Sequence, residues 1–323
     1  MNKKFDVALV GTLNVDIIIR GKAPRDIDAL LNWADVSDIY LTPAGSAGYC
    51  GIDMARLGLK VCLLSNVAHD VFGNWILEQL QSEGIDTSGV NIEKGHQSGI
   101  GVYMLLFGSC KRPLTARLAT HAPWQIELSD KAMDLIRKSR LLHCSGYLHY
   151  PMMWDGATEA LFREAKQEGL MTSLDPQFPI GAVEKPWLKC FGGLLKYVDF
   201  LLVDEDEALS MTGESSIENA IEKLAGEGPQ LVVVKCGEKG AIVHSGGRTI
   251  IQPIFKIEDV KDTIGAGDAF DAGIIYACIK GMELAEAVRF ASAVAALTVK
   301  GVGGTQTAPS VEDVENFLKG DNL

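Results

Sequence analysis

Six short apolar runs recur along the chain, most of them closed by a glycine or a carboxylate, with helical patterns between them. This alternation constrains the fold more than any other feature of the sequence. The runs are Val7–Val10 before Gly11, Val61–Leu64, Leu141–Cys144 before Gly146, Met171–Leu174 before Asp175, Phe200–Val203 before Asp204, and Leu231–Val234 before Lys235-Cys236-Gly237. Short, β-rich and apolar on both faces, they suit central strands of a mostly parallel sheet. Between them, Ser129–Ser139, Trp154–Glu168 and Ser216–Ala225 carry helical spacing. The pattern predicts an α/β domain over residues 1–323: a doubly wound, mostly parallel sheet flanked by helices. Two stretches break the rhythm. Thr12–Pro43 and His96–Ala119 alternate apolar and polar residues and lack a convincing helix. They predict a small β lid, formed by roughly residues 12–43 and 96–119, standing off the main sheet.

In open sheets of this kind, ligands sit outside the carboxyl ends of the strands. That rule nominates Gly11–Asp16, Asp175, Asp204–Glu207 and Gly237, although the same residue types are ordinary turn formers. Composition narrows the partners. With 30 Lys and Arg against 42 Asp and Glu, the net charge is −12, which argues against a general nucleic-acid binder. At 47% hydrophobic and 22% charged residues, the 323-residue chain is too apolar for disorder. No apolar run approaches the ~18 residues of a membrane span, and the N-terminus lacks the long apolar region of a signal peptide. The seven cysteines, Cys50, Cys62, Cys110, Cys144, Cys190, Cys236 and Cys278, are scattered and never spaced Cys-x-x-Cys. They read as reduced thiols, and the expected location is the cytoplasm.

The most informative segment is Asp262-Thr263-Ile264-Gly265-Ala266-Gly267-Asp268-Ala269-Phe270-Asp271-Ala272-Gly273. Apolar residues recur downstream at helical spacing, so Gly265–Asp268 opens a helix. A helix N-terminus offers unpaired N–H groups and partial positive charge, and small residues let an anion approach them. A carboxylate in that first turn is placed to accept a proton from a hydroxyl attacking a phosphoryl group. The plainer alternative is a glycine turn with Asp268 as a helix cap. Other chemistries find less support. Gly-x-x-x-x-Gly-Lys-[Ser/Thr] is absent, so a P-loop is excluded. Gly45–Gly51 lacks the order of a dinucleotide fingerprint, and His143, Cys144 and His149 have no metal-ligand spacing. Tyr40 and Tyr103 read as packing residues of the lid.

Asp-Thr-x-Gly-Ala-Gly-Asp-x-Phe resembles the C-terminal signature of the PfkB, or ribokinase-like, carbohydrate kinases. Further segments match that family in order along the chain. They are Gly11–Asp16, Gly45–Ala47 with Ala55–Gly58, Asp70–Gly73, Asp86–Val90, Asp175-Pro176 and Lys235–Gly240. The resemblance implies ATP-dependent phosphorylation of a hydroxymethyl group on a sugar or related molecule. It implies Asp268 as base, with Gly265, Ala266 and Gly267 stabilising the moving phosphoryl group. Asn14, Asp16, Gly45 and Ser46 would hold substrate hydroxyls. Asp204, Lys235, Gly237, Gly240 and Ser292 would line the nucleotide site. Glu207 would act on Mg²⁺ through water, and Asp262, the Ile264 carbonyl and the loop with Thr298, Gly301, Gly303 and Thr307 resemble a monovalent-cation (K⁺) site. Two positions depart from the family. Its Gly-Gly and following Asn are Ala44-Gly45 and Tyr49 here, and its Asn-x-x-Glu is Asp204-Glu205-Asp206-Glu207. Tyr49 could favour a nucleoside as acceptor; Arg20, Lys111, Arg112 and Arg117 keep sugar phosphates open. Asp204 could face the ATP phosphates across a cation or simply cap a helix. A non-catalytic sugar or nucleotide sensor would have lost the base, which is present. The uncovered face of a thin lid predicts a homodimer formed through it.

Overall fold

Every apolar run named above is a strand. The computed structural model describes residues 3–20, 26–32, 38–104, 114–118, 129–154 and 156–320. In chain order, β1 Phe5–Gly11 and β2 Asn14–Arg20 precede α1 Ile27–Leu31, β3 Asp38–Ala44 and α2 Ser46–Arg56. Then follow β4 Val61–Ala68, α3 Val71–Ser82, β5 Asp86–Glu93, β6 Gly99–Met104, β7 Leu114–Leu118, α4 Asp130–Arg137 and β8 Ser139–Ser145. The second half holds α5 Ala157–Gln167, β9 Met171–Asp175, β10 Phe200–Asp204, α6 Glu205–Thr212, α7 Ile217–Gly226 and β11 Leu231–Lys235. The hairpin β12 Ala241–Ser245 and β13 Arg248–Gln252, then α8 Ala266–Lys280, α9 Leu284–Thr298 and α10 Val311–Gly320, complete the chain.

The main sheet has nine strands in the order β13-β12-β11-β10-β9-β8-β1-β4-β5. From β5 to β11 all neighbours are parallel, and β12 and β13 add an antiparallel edge. Successive residues of a strand point to opposite faces. In β1, Ala8 and Val10 therefore pack into a core beneath α4, α5, α6 and α7, while Val7 and Leu9 pack into one beneath α2, α8 and α9. In β11, Val232 and Val234 join the first core, and Leu231 and Val233 a third, against α8 and α9. Both faces are covered, which is why apolar residues face both ways along the strands.

The lid is a second sheet in the order β3-β2-β6-β7. Asp16 stands opposite Thr42 of β3 and Gly101 of β6, so Asn14, Asp16 and Ile18 share one face. The other face carries Ile17, Ile19, Ile39 and Leu41. One expectation needs correction: the first lid segment does contain a helix, α1. Five residues give too short a pattern to register as helical, and its apolar Ile27 and Leu31 are exposed. Lys111, Arg112 and Cys110, with the rest of 105–113, lie outside the described residues. The six described cysteines are free thiols. No helix among the described residues is long and apolar enough to cross a membrane.

Candidate active site

The carboxyl ends of β1, β9, β10 and β11 deliver Gly11, Asp175, Asp204 and Lys235 to one edge of the sheet, and the lid closes over it. A cleft of roughly 800 Å³ opens there. Its wall includes Asn14, Asp16, Gly45, Ser46 and Tyr49 at the lid end, and Gly265, Gly267 and Asp268 in the middle. Asp204–Glu207, Lys235 and Gly237 line the far end. These residues, scattered over 255 positions from Asn14 to Asp268, are thus brought together as the sequence motifs imply.

α8 begins at Gly265, whose φ of +75° belongs to the left-handed region that glycine adopts without strain. A Cβ there would also stand 3.0 Å from the Gly304 Cα. No side chain caps this helix, and its first i to i−4 bond runs from the Ala269 N–H to the Gly265 carbonyl. The capping alternative for Asp268 is therefore not realised: the cap position is Gly265. Asp268, buried, projects from the first turn into the cleft, and its Oδ1 accepts a 2.9 Å hydrogen bond from Gln177 Nε2. Gln177 was not singled out from the sequence.

Beneath the turn lies a buried ion cluster. Lys235 Nζ is 3.0 Å from Asp175 Oδ2 and 3.0 Å from both oxygens of Asp271, and 3.7 Å from where a Cβ on Gly267 would be. Burial resists charge in all three groups, and the outcome differs between the carboxyls. For Asp175, attraction to Lys235 and hydrogen bonds from Lys235, Asp271 and the Gln177 N–H outweigh burial, so it lies below the usual range. Asp271 is pushed well up by burial, opposed by Lys235, with Asp175 adding repulsion. Lys235 stays an ammonium because its carboxylate neighbours overcome its burial.

At the far end, Asp204 and Glu207 form a reciprocal cap on α6. The Glu207 N–H donates to Asp204 Oδ1 at 2.7 Å, and the Asp204 N–H donates to Glu207 Oε2 at 2.8 Å. Burial raises both carboxyls above their ordinary values. At the lid end, Asn14 Nδ2 donates to Asp16 Oδ1 at 2.7 Å and the Tyr49 hydroxyl donates to Asp16 Oδ2. Tyr49 packs with Ile18, Ala44, Tyr103, Ile264 and Val302, and Tyr40 borders that cluster. Both lid tyrosines thus serve packing, as expected. The Ser46 hydroxyl donates to the Ser145 carbonyl at 2.7 Å and accepts from the Thr12 N–H, locking the start of α2 to the strand ends.

Two expected nucleotide residues are not on the wall of this cleft. Gly240 closes a turn before β12 at φ +94°, where any Cβ would overlap the Gln252 carbonyl. Ser292 lies within α9, its hydroxyl buried without a partner. The loop after α9 is stitched from within. Asp262 accepts the Ile264 and Gly303 N–H groups, each at 3.0 Å, and the Thr307 hydroxyl donates to the Thr298 carbonyl at 2.8 Å. A Cβ on Gly301 would collide with Thr307. Among the described residues, no cluster of three or more His, Cys, Asp or Glu side chains could hold a metal ion alone.

The family model described as pfkB family carbohydrate kinase matches residues 5–311. An ATP-dependent 6-phosphofructokinase of Thermoanaerobacterium thermosaccharolyticum is 28% identical, covering 98% of this chain and 94% of that protein. A 5-dehydro-2-deoxygluconokinase of Clostridium tetani is also 28% identical, with coverage of 98% and 94%. The structure of Arabidopsis thaliana ribokinase complexed with ribose and ATP shares the fold, at a TM-score of 0.79 and 24% identity, covering 98% of this chain and 99% of that one.

Proposed function

Since the chain belongs to the pfkB family of carbohydrate kinases, and is a phosphotransferase with an alcohol acceptor, we propose that it moves the γ-phosphoryl group of ATP to a hydroxymethyl group of an unphosphorylated sugar, with Asp268 as base. One observation carries this: a buried carboxylate projects from an uncapped helix N-terminus into the cleft that also holds Asn14 and Asp16. Asp16 accepts from sugar hydroxyls, and Asn14 and Tyr49 hold its carboxylate in place. Asp268 takes the proton of the acceptor hydroxyl as its oxygen attacks the γ-phosphorus. The bond from phosphorus to the β–γ bridging oxygen breaks, and ADP leaves. The N–H groups of Gly265, Gly267 and Asp268 and the Lys235 ammonium meet the charge on the transferring group.

Mg²⁺, when bound, neutralises the phosphate oxygens. Asp204 and Glu207 each spend one oxygen on the helix cap, and the other would hold Mg²⁺ through water. We propose that Asp262, the Ile264 carbonyl and the loop of Thr298, Gly301, Gly303 and Thr307 would hold a K⁺ ion, and expect turnover to rise when K⁺ replaces a bulky organic cation. Tyr49 spends its hydroxyl on Asp16 and its ring on packing, which favours a sugar over a nucleoside. Arg20 does not line the cleft, which favours an unphosphorylated acceptor. The test is ADP release with Mg-ATP and a panel of ribose, other free sugars, 5-dehydro-2-deoxygluconate, fructose 6-phosphate and nucleosides. Acceptor-dependent ADP with a free sugar supports the proposal; turnover confined to nucleosides or fructose 6-phosphate contradicts it.

A further inference from the structure

Gln177 stands in the loop after β9 with a φ of +51°, the one non-glycine residue among those described to adopt the left-handed region. Such a conformation persists only where its surroundings impose it, and it concentrates at functional sites. Here the surroundings are visible. The Gln177 N–H donates to Asp175 Oδ1 at 2.9 Å, the Pro176 carbonyl accepts from the Leu148 N–H at 3.0 Å, and the Asp175 carbonyl accepts from the Gly146 N–H at 2.8 Å. Held this way, the side chain reaches across the cleft to Asp268 Oδ1.

We propose that Gln177 is a positioning residue for phosphoryl transfer, its amide anchoring one oxygen of Asp268 so that the other faces the acceptor hydroxyl. The inference rests on Asp268 being the base. A carboxylate free to rotate presents its lone pairs to the acceptor only part of the time, and fixing one oxygen removes that freedom. The amide donates a hydrogen bond and transfers no proton; the acceptor's proton goes to Asp268. Through its backbone, Gln177 also joins the base to Asp175 and so to Lys235, tying base and cation into one preorganised unit. An amide donor favours the ionised carboxylate, so its loss should move the acid limb of the pH profile upward. Among the described residues, the ionisable groups around Asp268 include Asp53 and Cys50 on α2, Asp271 one turn along α8, and Lys235 and Asp175 beneath the turn.

The test is a double-mutant cycle of Gln177→Gly with Asp268→Asn, using the acceptor that the sugar panel identifies. Glycine suits a positive φ, so Gln177→Gly keeps the backbone and loses only the amide. Its kcat should fall roughly 10- to 100-fold, with the KM for ATP within about twofold and the acid limb of kcat shifted to higher pH. In the Asp268→Asn background the same change should cost less than about threefold, because it acts through the carboxylate. An unchanged kcat in Gln177→Gly, or an equal loss in both backgrounds, overturns the inference. Should that variant not fold, Gln177→Glu, the same shape with a carboxylate facing a carboxylate, must lower kcat and shift the limb further; an unchanged profile overturns it. Full turnover in Asp268→Asn removes the base and this role together. A loss there with none in Gln177→Gly removes this role alone.

Discussion

A Cβ at position 101 would overlap Asp16 Oδ1, so a side chain there must displace that carboxylate. Gly101→Ala should therefore push the Asp16 carboxylate out of its hydrogen bonds and raise the acceptor KM roughly tenfold or more, leaving the KM for ATP near its original value. Steady-state kinetics with each substrate varied in turn check this, and equal changes in both KM values would contradict it. His143 gives a prediction for stability. It is fully buried in β8, its Nδ1 bonded to Ser173 Oγ at 3.0 Å, and burial pushes its pKa down to about 4. The unfolded chain binds that proton near pH 6.5, so the stability due to a neutral His143 is complete above ~6.5 and is lost as pH falls toward 4. The loss amounts to roughly 3 kcal/mol. Urea titrations across that window should show a shallower decline in His143→Gln than in the parent, and identical slopes would contradict the assignment.

Among the elements, α6 separates two roles for Asp204 that the sequence left open. The reciprocal cap with Glu207 is formed, and Asp204 still lines the cleft. Asparagine caps as well as aspartate, so Asp204→Asn should leave stability nearly unchanged, whereas Asp204→Ala should cost about 1 kcal/mol. Equal destabilisation by both, measured by urea unfolding, would contradict the capping role. The strands and α8 were legible because their signals are local: apolar runs covered on both sides, and a glycine-rich turn before a helical repeat. The contacts that complete the site were less legible. Gln177 and Asp268 lie 91 residues apart, and nothing in Asp-Pro-Gln signals a positive φ. Lys235 was placed at the nucleotide but not in its ion cluster, although Asp271 stands one helical turn after Asp268, a spacing that puts both on one side of α8. Gly240 matched a motif, yet the motif's glycine serves the turn into β12.

At the scale of the whole molecule, the lid's outer face is the feature that the monomer leaves unresolved. On that face Ile39 is 61% exposed and Leu41 is 49% exposed. We therefore propose that two copies pair through their lids. Light scattering at micromolar concentration should give twice 34.8 kDa, and Leu41→Glu should shift the mass toward the monomer; a monomeric parent would contradict this. The proposed mechanism turns on Asp268 as the base, so its substitution tests the central claim most directly. The measurement is kcat for phosphoryl transfer to the identified sugar by Asp268→Asn at saturating Mg-ATP, with nucleotide affinity measured in parallel. Turnover should drop by about 10²- to 10⁴-fold while ATP binding stays near that of the parent. A kcat close to the parent's would show that the proton goes elsewhere and that Asp268 is not the base.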